Sequence, residues 1–367
     1  MKIDSKSSLT GLAILLGIIP IQEAYALPYG YYYAFEDLGP VAGQMASMPM
    51  GVNGTDTAAG VSFDYPYGNN RCVRYNVGSA PDYTNGSDYC DANAIDRQGT
   101  VVGSTSLPSG YYEAFVWPTF GGLTTLGTLG GSWSVAEDIS DNGYIVGWSD
   151  VNYGTPHAYI YDTWLPWATM VDLGTLPGDV YSYANGVDNR GVVVGNSESS
   201  TFFSRAFVLD YPGNTRIDLS THWQWNQTYA NDIDDSGVIV GSRTTPIWSQ
   251  HAVVWEEIWW SPGQYVSRDL GELPGGSWSD AHAIGGSTPT AVGSSFDANS
   301  VSRAVAWDVG GGTVTDLNAV AAFVPPQFTL NEATDIGPMD AVVGWGTYPN
   351  QPPRGFRLVV RGQQLVP

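Results

Sequence analysis

A nine-residue pattern of apolar and polar positions returns seven times along the chain. Its clearest copies are residues 139–147, 187–195 and 233–241, where an apolar residue, a polar turn with glycine, a β-branched run and a closing glycine follow one another. Weaker copies close at Gly60, Gly103, Gly293 and Gly344, so the closing glycines lie 43 to 52 residues apart. A repeat of about 40 to 50 residues, built from short β-type segments, predicts a radial array of blades.

Each period contains four strand-like segments in a fixed order. We take Asp-Leu-Gly or its remnant as the first, Ala-x-x-Ile/Val as the second, Val-Val-Gly as the third, and a segment similar to His-Ala-Phe-x-Trp as the fourth. Polar residues and glycine between the second and third segments supply the positive φ and side-chain hydrogen bonds that a tight β-hairpin needs. The repeated alanine suits close packing toward a crowded axis.

Seven sets of four short strands predict an all-β fold, a single seven-bladed β-propeller of four-stranded blades over residues 27–367. A solenoid is the alternative, but its turns usually have about half this period. Residues 362–367 faintly echo residues 37–40, so we expect the two ends of the chain to meet in one blade.

The first 26 residues have the pattern of a secretory signal peptide. Lys2 and Lys6 precede an apolar run from Leu9 to Ile21, and small residues surround Tyr25. The run is too short to span a bilayer, which argues against the alternative of an uncleaved membrane anchor. We predict cleavage after Ala26 and a secreted or periplasmic protein without membrane insertion.

The composition excludes several partners. The formal net charge is −22, and no lysine follows Lys6. Such a chain repels nucleic acid phosphates and anionic lipids, and a lysine Schiff base is impossible in the mature protein. Abundant glycine, tryptophan and tyrosine with few charged residues suit many short strands and tight turns.

Cys72 and Cys90 are the only cysteines, and both fall in the first repeat. In an exported protein such a pair is most simply a disulfide, which would clamp the irregular stretch of residues 64–91. A two-cysteine metal site is the alternative, although no histidine lies nearby in sequence.

Three of these segments together resemble the HAF-type extracellular repeats of bacteria. They are the Asp-Leu-Gly-Thr-Leu-Gly-Gly type at residues 125–131, the Ile-Asx-x-x-Gly-x-Val-Val-Gly type and the His-Ala-Phe-x-Trp type. The resemblance covers residues 35–358 and is strongest over 126–271. It implies an exported, β-propeller-like protein and supplies no catalytic residue.

Arginine or histidine begins most copies of the fourth segment. A position that accepts either residue is not a metal ligand, so we predict that its side chain bonds the aspartate of an Asp-Leu-Gly segment, such as Asp172 or Asp218, and braces the blades. His222 and His282 stand apart, and no metal-spaced set exists. The bracing residues are Arg71, His157, Arg205, His251, Arg303 and Arg354.

No motif assigns a catalytic residue. There is no Gly-x-Ser-x-Gly elbow, and most aspartates fall at repeated positions typical of turns, whereas Glu137, Glu272 and Glu332 do not. Residues 138–143 and 232–237 superficially resemble calcium loops but lack the following glutamate. We interpret them as hairpin turns and leave calcium binding open.

Aromatic residues are the strongest functional signal. One group stands three residues before the repeated alanine, or close to that place, and we predict a partial ring at one end of the propeller: Tyr89, Trp133, Tyr181, Trp278, Trp223 and Trp225. A second group lies in the connections after the fourth segment: Trp164, Trp167, Trp259 and Trp260. Such rings stack on sugars, although wedging between blades as core is the alternative.

The sequence therefore predicts an exported, monomeric or weakly associating, non-catalytic binding protein without a cofactor. Its expected ligand is a carbohydrate or another surface polymer, held by aromatic residues at one end of the propeller. A carbohydrate-active hydrolase or lyase, and a structural surface or matrix protein, remain the alternatives.

Overall fold

The computed structural model describes residues 31–65, 68–84, 89–152, 154–165, 167–213, 215–222, 227–245 and 249–362. The expected signal peptide, the carboxyl-terminal echo beyond Gly362, Trp223 and Trp225 lie outside the described residues. Among the described residues, no helix is long and apolar enough to cross a bilayer.

The described residues form short strands with little helix. A 3₁₀ helix covers Leu219–His222 and a single α-helical turn, α1, covers Leu317–Val320. In chain order the strands are β1 (Tyr31–Leu38), β2 (Ala46–Val52), β3 (Ala58–Phe63), β4 (Arg71–Tyr75), β5 (Asp82–Tyr83), β6 (Cys90–Ile95), β7 (Val101–Ser106), β8 (Tyr112–Trp117), β9 (Thr124–Gly127), β10 (Ser134–Ile139), β11 (Tyr144–Asn152), β12 (Thr155–Asp162), β13 (Val171–Gly174), β14 (Tyr181–Val187), β15 (Val192–Glu198), β16 (Ser204–Asp210), β17 (Thr215–Asp218), β18 (Thr228–Ile233), β19 (Ile239–Thr244), β20 (Gln250–Glu257), β21 (Tyr265–Asp269), β22 (Ser279–Gly285), β23 (Thr290–Phe296), β24 (Ser302–Asp308), β25 (Thr313–Asp316), β26 (Ala321–Ala322), β27 (Thr329–Ile336), β28 (Val342–Thr347) and β29 (Arg354–Gly362).

These strands form seven sheets, antiparallel except for the short parallel pairing of β1 with β26, and the predicted seven-bladed β-propeller is confirmed. Blades 1 to 6 are β2–β5, β6–β9, β10–β13, β14–β17, β18–β21 and β22–β25, each in sequential order. Blade 7 has the order β26-β1-β29-β28-β27. The first strands of adjacent blades contact one another all the way round, so they are the innermost strands. Apolar residues buried between neighbouring blades form the core.

The expected order of the segments within a blade was wrong by one strand. The Ala-x-x-Ile segment is innermost, and the Asp-Leu-Gly segment pairs with the preceding His-Ala-Phe segment as the outermost strand, as β13 does with β12. A repeated sequence has no intrinsic starting point, so only the strand pairing fixes where a blade begins.

The two ends of the chain meet in blade 7, as expected, but through other residues than the echo suggested. Strand β1 is the outer partner of β29, with Tyr33 opposite Val360 and Asp37 opposite Phe356. The first described strand therefore completes the last blade and closes the ring.

The closing glycine of each repeat has a steric reason. Gly147 pairs with Ala136, where the innermost strand bulges between Ala136 and Asp138. A Cβ atom at Gly147 would collide with the carbonyl oxygen of Val135, and the corresponding glycines of the other blades face the same obstacle. The repeated alanines opposite them are fully buried. The glycine is thus required in all seven blades, and the alanine opposite it recurs in six, with Pro49 opposite Gly60 in blade 1.

Cys72 and Cys90 form the predicted disulfide, with their Cα atoms 5.3 Å apart. Cys72 lies on β4 of blade 1 and Cys90 begins β6 of blade 2. The bond therefore joins two blades, whereas the sequence placed both cysteines in one repeat. The stretch between them is not wholly irregular, because it contains β5.

The strand order gives the propeller two distinct faces. The hairpin face carries the turns between the first and second strands, such as residues 140–143, and the connections between the third and fourth strands, such as 163–170 and 258–264. The crossover face carries the connections between the second and third strands, such as 107–111, and the passages to the next blade, such as 128–133.

Candidate functional site

Three aspartates on the innermost strands connect neighbouring blades inside the central channel. In Asp138, Asp232 and Asp335, one carboxylate oxygen accepts a hydrogen bond of 2.7 Å from the backbone N–H of the next residue. The other oxygen accepts from a backbone N–H of the following blade at 2.7 to 2.8 Å. These bonds join blade 3 to 4, 5 to 6 and 7 to 1. The donors in the following blades are Val187, Ile284 and Val52.

The surroundings of these carboxyl groups favour the protonated form. Burial raises the pKa of Asp335 to about 7 and that of Asp138 to about 6, although the backbone hydrogen bonds oppose the effect. Burial, with the charge of Asp138 second, raises the pKa of Asp232 as well. The sequence had assigned Asp138 and Asp232 to hairpin turns, which was wrong. Both residues lie on the innermost strand itself. The recurrence of an aspartate at this position in alternate blades is the sequence signal that could have identified them.

Glu137 is a further acidic group on the innermost strand of blade 3. Its carboxylate accepts hydrogen bonds of 3.1 Å from the indole Nε1 of Trp148 and from Asn93 Nδ2. Burial raises the pKa of Glu137 to about 7, the bond from Trp148 lowers it, and the nearby charges of Asp91 and Asp138 raise it. A carboxyl group that titrates near neutrality can donate or accept a proton at physiological pH.

On the hairpin face, the turns of successive blades are joined into a polar ridge formed by residues 97, 141, 142, 189 and 235. The backbone N–H of Arg97 donates to Asp141 at 2.7 Å, and Asn142 donates twice to Asn189, at 2.9 and 2.7 Å. Asn189 then donates to both carboxylate oxygens of Asp235, at 3.0 and 2.7 Å. The acidic turns are therefore engaged with one another. Among the described residues, no group of three acidic, histidine or cysteine side chains could hold a metal ion.

Four tryptophans project from the outer part of the hairpin face. Trp164 and Trp167 lie in the third-to-fourth connection of blade 3, and Trp259 and Trp260 lie in that of blade 5; all four are between 69% and 86% exposed. The indole Nε1 of Trp164 donates to the carbonyl of Asn142 at 2.5 Å, which fixes the edge of its ring against the polar ridge. The rings of Trp259 and Trp260 pack edge to face at 5.1 Å.

A groove runs between blades 4 and 5 beside one of these tryptophan pairs. It comprises adjoining cavities of about 450 and 410 Å³ that share Ile217, Gly263 and Tyr265. Its wall includes the connection 258–264, which carries Trp259 and Trp260. Polar groups line it as well, and Glu257 accepts a bond of 2.6 Å from the backbone N–H of Gly263, which holds the connection in place. The hairpin face thus combines exposed aromatic rings with a polar groove.

The crossover face carries the other aromatic group, with unequal exposure. Tyr89 and Trp133 are 40% and 44% exposed. Trp278 instead stacks on Phe296 at 5.0 Å, and Tyr181 stacks on a phenylalanine at 5.7 Å, so each has one ring face covered. The structure therefore places the four described members of the first aromatic group on the crossover face and the second group on the opposite, hairpin face. The tryptophans of the second group lie within blades, between the third and fourth strands, rather than between blades.

The arginine and histidine side chains that begin the third strand make acidic contacts, mostly within their own blade. His157 lies 3.0 Å from Asp172, Arg205 lies 2.8 Å from Asp218, and Arg354 lies 2.7 Å from Asp37. These are the partners that the Asp-Leu-Gly segments supply, although the pairs join strands of one blade and not separate blades.

The other three predicted bracing residues depart from this pattern. Arg303 pairs at 2.9 Å with Asp297, which belongs to the turn before its own strand, and not with an Asp-Leu-Gly segment. His251 lies 3.3 Å from Glu272 and 4.0 Å from the aspartate of its neighbouring strand. Arg71 lies over the ring of a tyrosine at 5.6 Å. That these contacts stabilise the fold stays a prediction.

Comparison with known proteins adds little to the geometry. No protein-family model matches the chain, and no curated protein matches it. A protein of unknown function from Dyadobacter fermentans aligns with 91% of this chain and 100% of its own at 10% identity and a TM-score of 0.48. TolB from Acinetobacter baumannii aligns with 82% of this chain and 80% of its own at 11% identity and a TM-score of 0.45. Puromycin hydrolase aligns with 87% of this chain and 62% of its own at 11% identity and a TM-score of 0.47. No residue role is carried over from them.

Proposed function

We propose that this propeller is an exported, non-catalytic protein that binds a neutral carbohydrate on its hairpin face. The observation that carries the proposal is the exposure of Trp164, Trp167, Trp259 and Trp260 on one face, two blades apart. Large apolar side chains exposed together on a soluble protein mark interaction sites. Indole faces stack on the apolar faces of sugar rings, and the neighbouring polar groups can bond the hydroxyls.

The electrostatics of this face support a neutral ligand. The chain has a net charge of −22, Asp235 belongs to the polar ridge, and Glu257 lines the groove two residues before Trp259. A polyanion would be repelled, whereas sugar hydroxyls can donate hydrogen bonds to carboxylate and amide oxygens. The ordered polar ridge supplies such acceptors without requiring much rearrangement, which reduces the entropic cost of binding.

Export is part of the proposal. The expected signal peptide and its cleavage after Ala26 lie outside the described residues. The buried Cys72–Cys90 disulfide is consistent with an oxidising compartment, since such bonds are rare in the cytosol. The membership in the HAF-type repeats remains likewise a proposal that rests on the three sequence motifs.

A glycan hydrolase or lyase is the second candidate, and Glu137 is the observation that favours it. A carboxyl group with a pKa of about 7 is suited to act as a general acid. Its two hydrogen bonds, to Trp148 and Asn93, also suit a structural role between blades 2 and 3. Appearance of shortened products with the wild type, and their loss with Glu137→Gln, would establish this candidate.

The experiment is a glycan array with the purified mature protein, followed by titration calorimetry on the best neutral glycan. Trp164→Ala/Trp167→Ala and Trp259→Ala/Trp260→Ala are compared with Met339→Ala, a matched control that removes an exposed apolar side chain from the same face. A stacked ring contributes about 0.5–1.5 kcal/mol beyond its buried area. We therefore expect each tryptophan variant to lose several-fold or more in affinity and the control to bind normally. Unchanged affinity in both tryptophan variants, or the absence of any bound glycan, would contradict the proposal.

A further inference from the structure

We infer that the protein cross-links glycan chains, because its crossover face carries a second aromatic binding site that is separate from the first. This inference rests on the proposed function. The second site is an aromatic shelf formed by Tyr89, Tyr112 and Trp133 at the junction of blades 2 and 3. Ring centroids lie 5.3 Å apart between Tyr89 and Tyr112, and 5.6 Å apart between Tyr112 and Trp133. The exposed side chain of Tyr111 adjoins the shelf in sequence.

The shelf is held in place by the backbone on both sides of the junction. The carbonyl of Trp133 accepts hydrogen bonds from the backbone N–H of Asp150 at 2.9 Å and from Ser149 Oγ at 3.1 Å. The carbonyl of Tyr89 accepts from the backbone N–H of Ser106 at 2.8 Å. These bonds order the backbone that carries the rings, and the packing of Tyr112 against both neighbours restricts the side chains, so little conformational freedom is lost when a ligand stacks on them.

Polar groups beside the shelf suit the hydroxyls of a neutral sugar. Burial and a hydrogen bond to Asp91 raise the pKa of the Tyr89 hydroxyl, which stays protonated at physiological pH. Asp91 also accepts a bond of 2.9 Å from Asn70 Nδ2. The shelf therefore presents half-exposed aromatic rings next to an ordered carboxylate and amide, the same combination of groups as on the hairpin face.

The two aromatic sites lie at opposite ends of the blades. Trp133 precedes β10 on the crossover face, and Trp164 follows β12 on the hairpin face of the same blade. The six residues of β10 alone span about 20 Å at 3.3 Å per residue. The two faces are thus separate sites, and one monomer has room for a glycan chain on each. A binding protein of this kind gathers polymers into a network without any enzymatic activity.

The test measures bridging separately from binding. A panel of neutral polysaccharides (hydroxyethyl cellulose, barley β-glucan, xylan, mannan and dextran) is screened, and the one bound best is coupled to beads. Mature protein is added, then a fluorescein-labelled soluble form of the same polysaccharide. We expect the wild type to capture the labelled polymer on the beads. Tyr89→Ala/Trp133→Ala should still bind the beads but capture at least fivefold less, and Trp164→Ala/Trp167→Ala should behave likewise. Val301→Ala, at an exposed apolar residue elsewhere on the crossover face, should capture normally.

Each outcome distinguishes a failure of the proposed glycan binding from a failure of the inferred cross-linking. No binding of the wild type to any polysaccharide would refute the proposed function and the inference with it. Binding without capture, or full capture by Tyr89→Ala/Trp133→Ala, would overturn the inference alone; the latter result would mean that bridging arises by association of two copies through one face. Thermal melting checks that each variant is folded. If the double variant melts far below the wild type, Trp133→Ala alone replaces it.

Discussion

Replacing Arg205 by alanine should destabilise the propeller by an amount set by the burial of its partner. Arg205 donates to Asp218 at 2.8 Å, to Asp179 at 2.9 Å and to the carbonyl of Pro177 at 3.1 Å. The Asp179 side chain is only 4% exposed, so the truncation leaves a buried carboxylate without its cation. Breaking a fully buried pair costs about 3–5 kcal/mol, and an unsatisfied buried polar group costs about 1–3 kcal/mol. Because Arg205 itself is partly exposed, we expect a loss of about 2–3 kcal/mol.

Arg354→Ala is the matched comparison. It has the same place in blade 7 and pairs with Asp37 at 2.7 Å, but both side chains are 42% exposed. An exposed pair contributes at most about 1 kcal/mol. Equilibrium unfolding in urea, followed by tryptophan fluorescence, gives the free energy of unfolding for both variants.

A double-mutant cycle with Asp179→Ala separates the ion pair from other effects. The double variant should lose less than the sum of the two single losses, because each single change strands the partner of the other. Additive losses, or a smaller effect for Arg205→Ala than for Arg354→Ala, would refute the reasoning. Unchanged stability with lost glycan binding would assign Arg205 to the ligand site instead.

Two further predictions concern the connections between blades. Reducing the Cys72–Cys90 disulfide, or replacing both cysteines by alanine, should lower the free energy of unfolding by about 3 kcal/mol, because the bond closes a loop with an 18-residue separation. Thiol titration of the unfolded, unreduced protein should find no free thiol. Two reactive thiols would refute the bond. The stability advantage of the wild type over Asp335→Ala should shrink as the pH rises from about 4 to about 7, because the folded protein then keeps a proton that the unfolded chain has lost. The loss is about 1.4 kcal/mol per pH unit across that range, and an advantage that grows with pH would contradict the raised pKa.

The repeat predicted the fold because steric requirements recur in every blade. Gly147 and its counterparts show why: a Cβ atom at any of them would collide with a backbone carbonyl oxygen of the innermost strand, so the glycine returns with each period. A buried alanine stands opposite this glycine in six blades, and Pro49 takes that place opposite Gly60 in blade 1. The starting strand of a blade was not predictable in this way. It depends on the pairing of β1 with β29, two strands at opposite ends of the chain.

The connections between blades were harder to predict, because they depend on single residues and not on the period. Asp138 belongs to an acidic stretch that resembles a turn, yet its carboxylate reaches a backbone N–H of the next blade. Arg303 occupies the expected position, yet the nearby Asp297 offers a closer partner than the Asp-Leu-Gly strand does. Only the folded geometry distinguishes these cases.

Trp133 and Trp278 stand in identical Gly-Gly-Ser-Trp-Ser segments, yet their rings have different surroundings. In both blades the tryptophan carbonyl accepts a hydrogen bond from the end of the second strand, from the backbone N–H of Asp150 in blade 3 and of Phe296 in blade 6. The phenylalanine ring stacks on Trp278, whereas the aspartate offers no ring to Trp133. One residue on a neighbouring strand thus decides whether the same motif presents an open aromatic face. The differences between blades, rather than the repeat itself, therefore determine which aromatic faces are open to solvent.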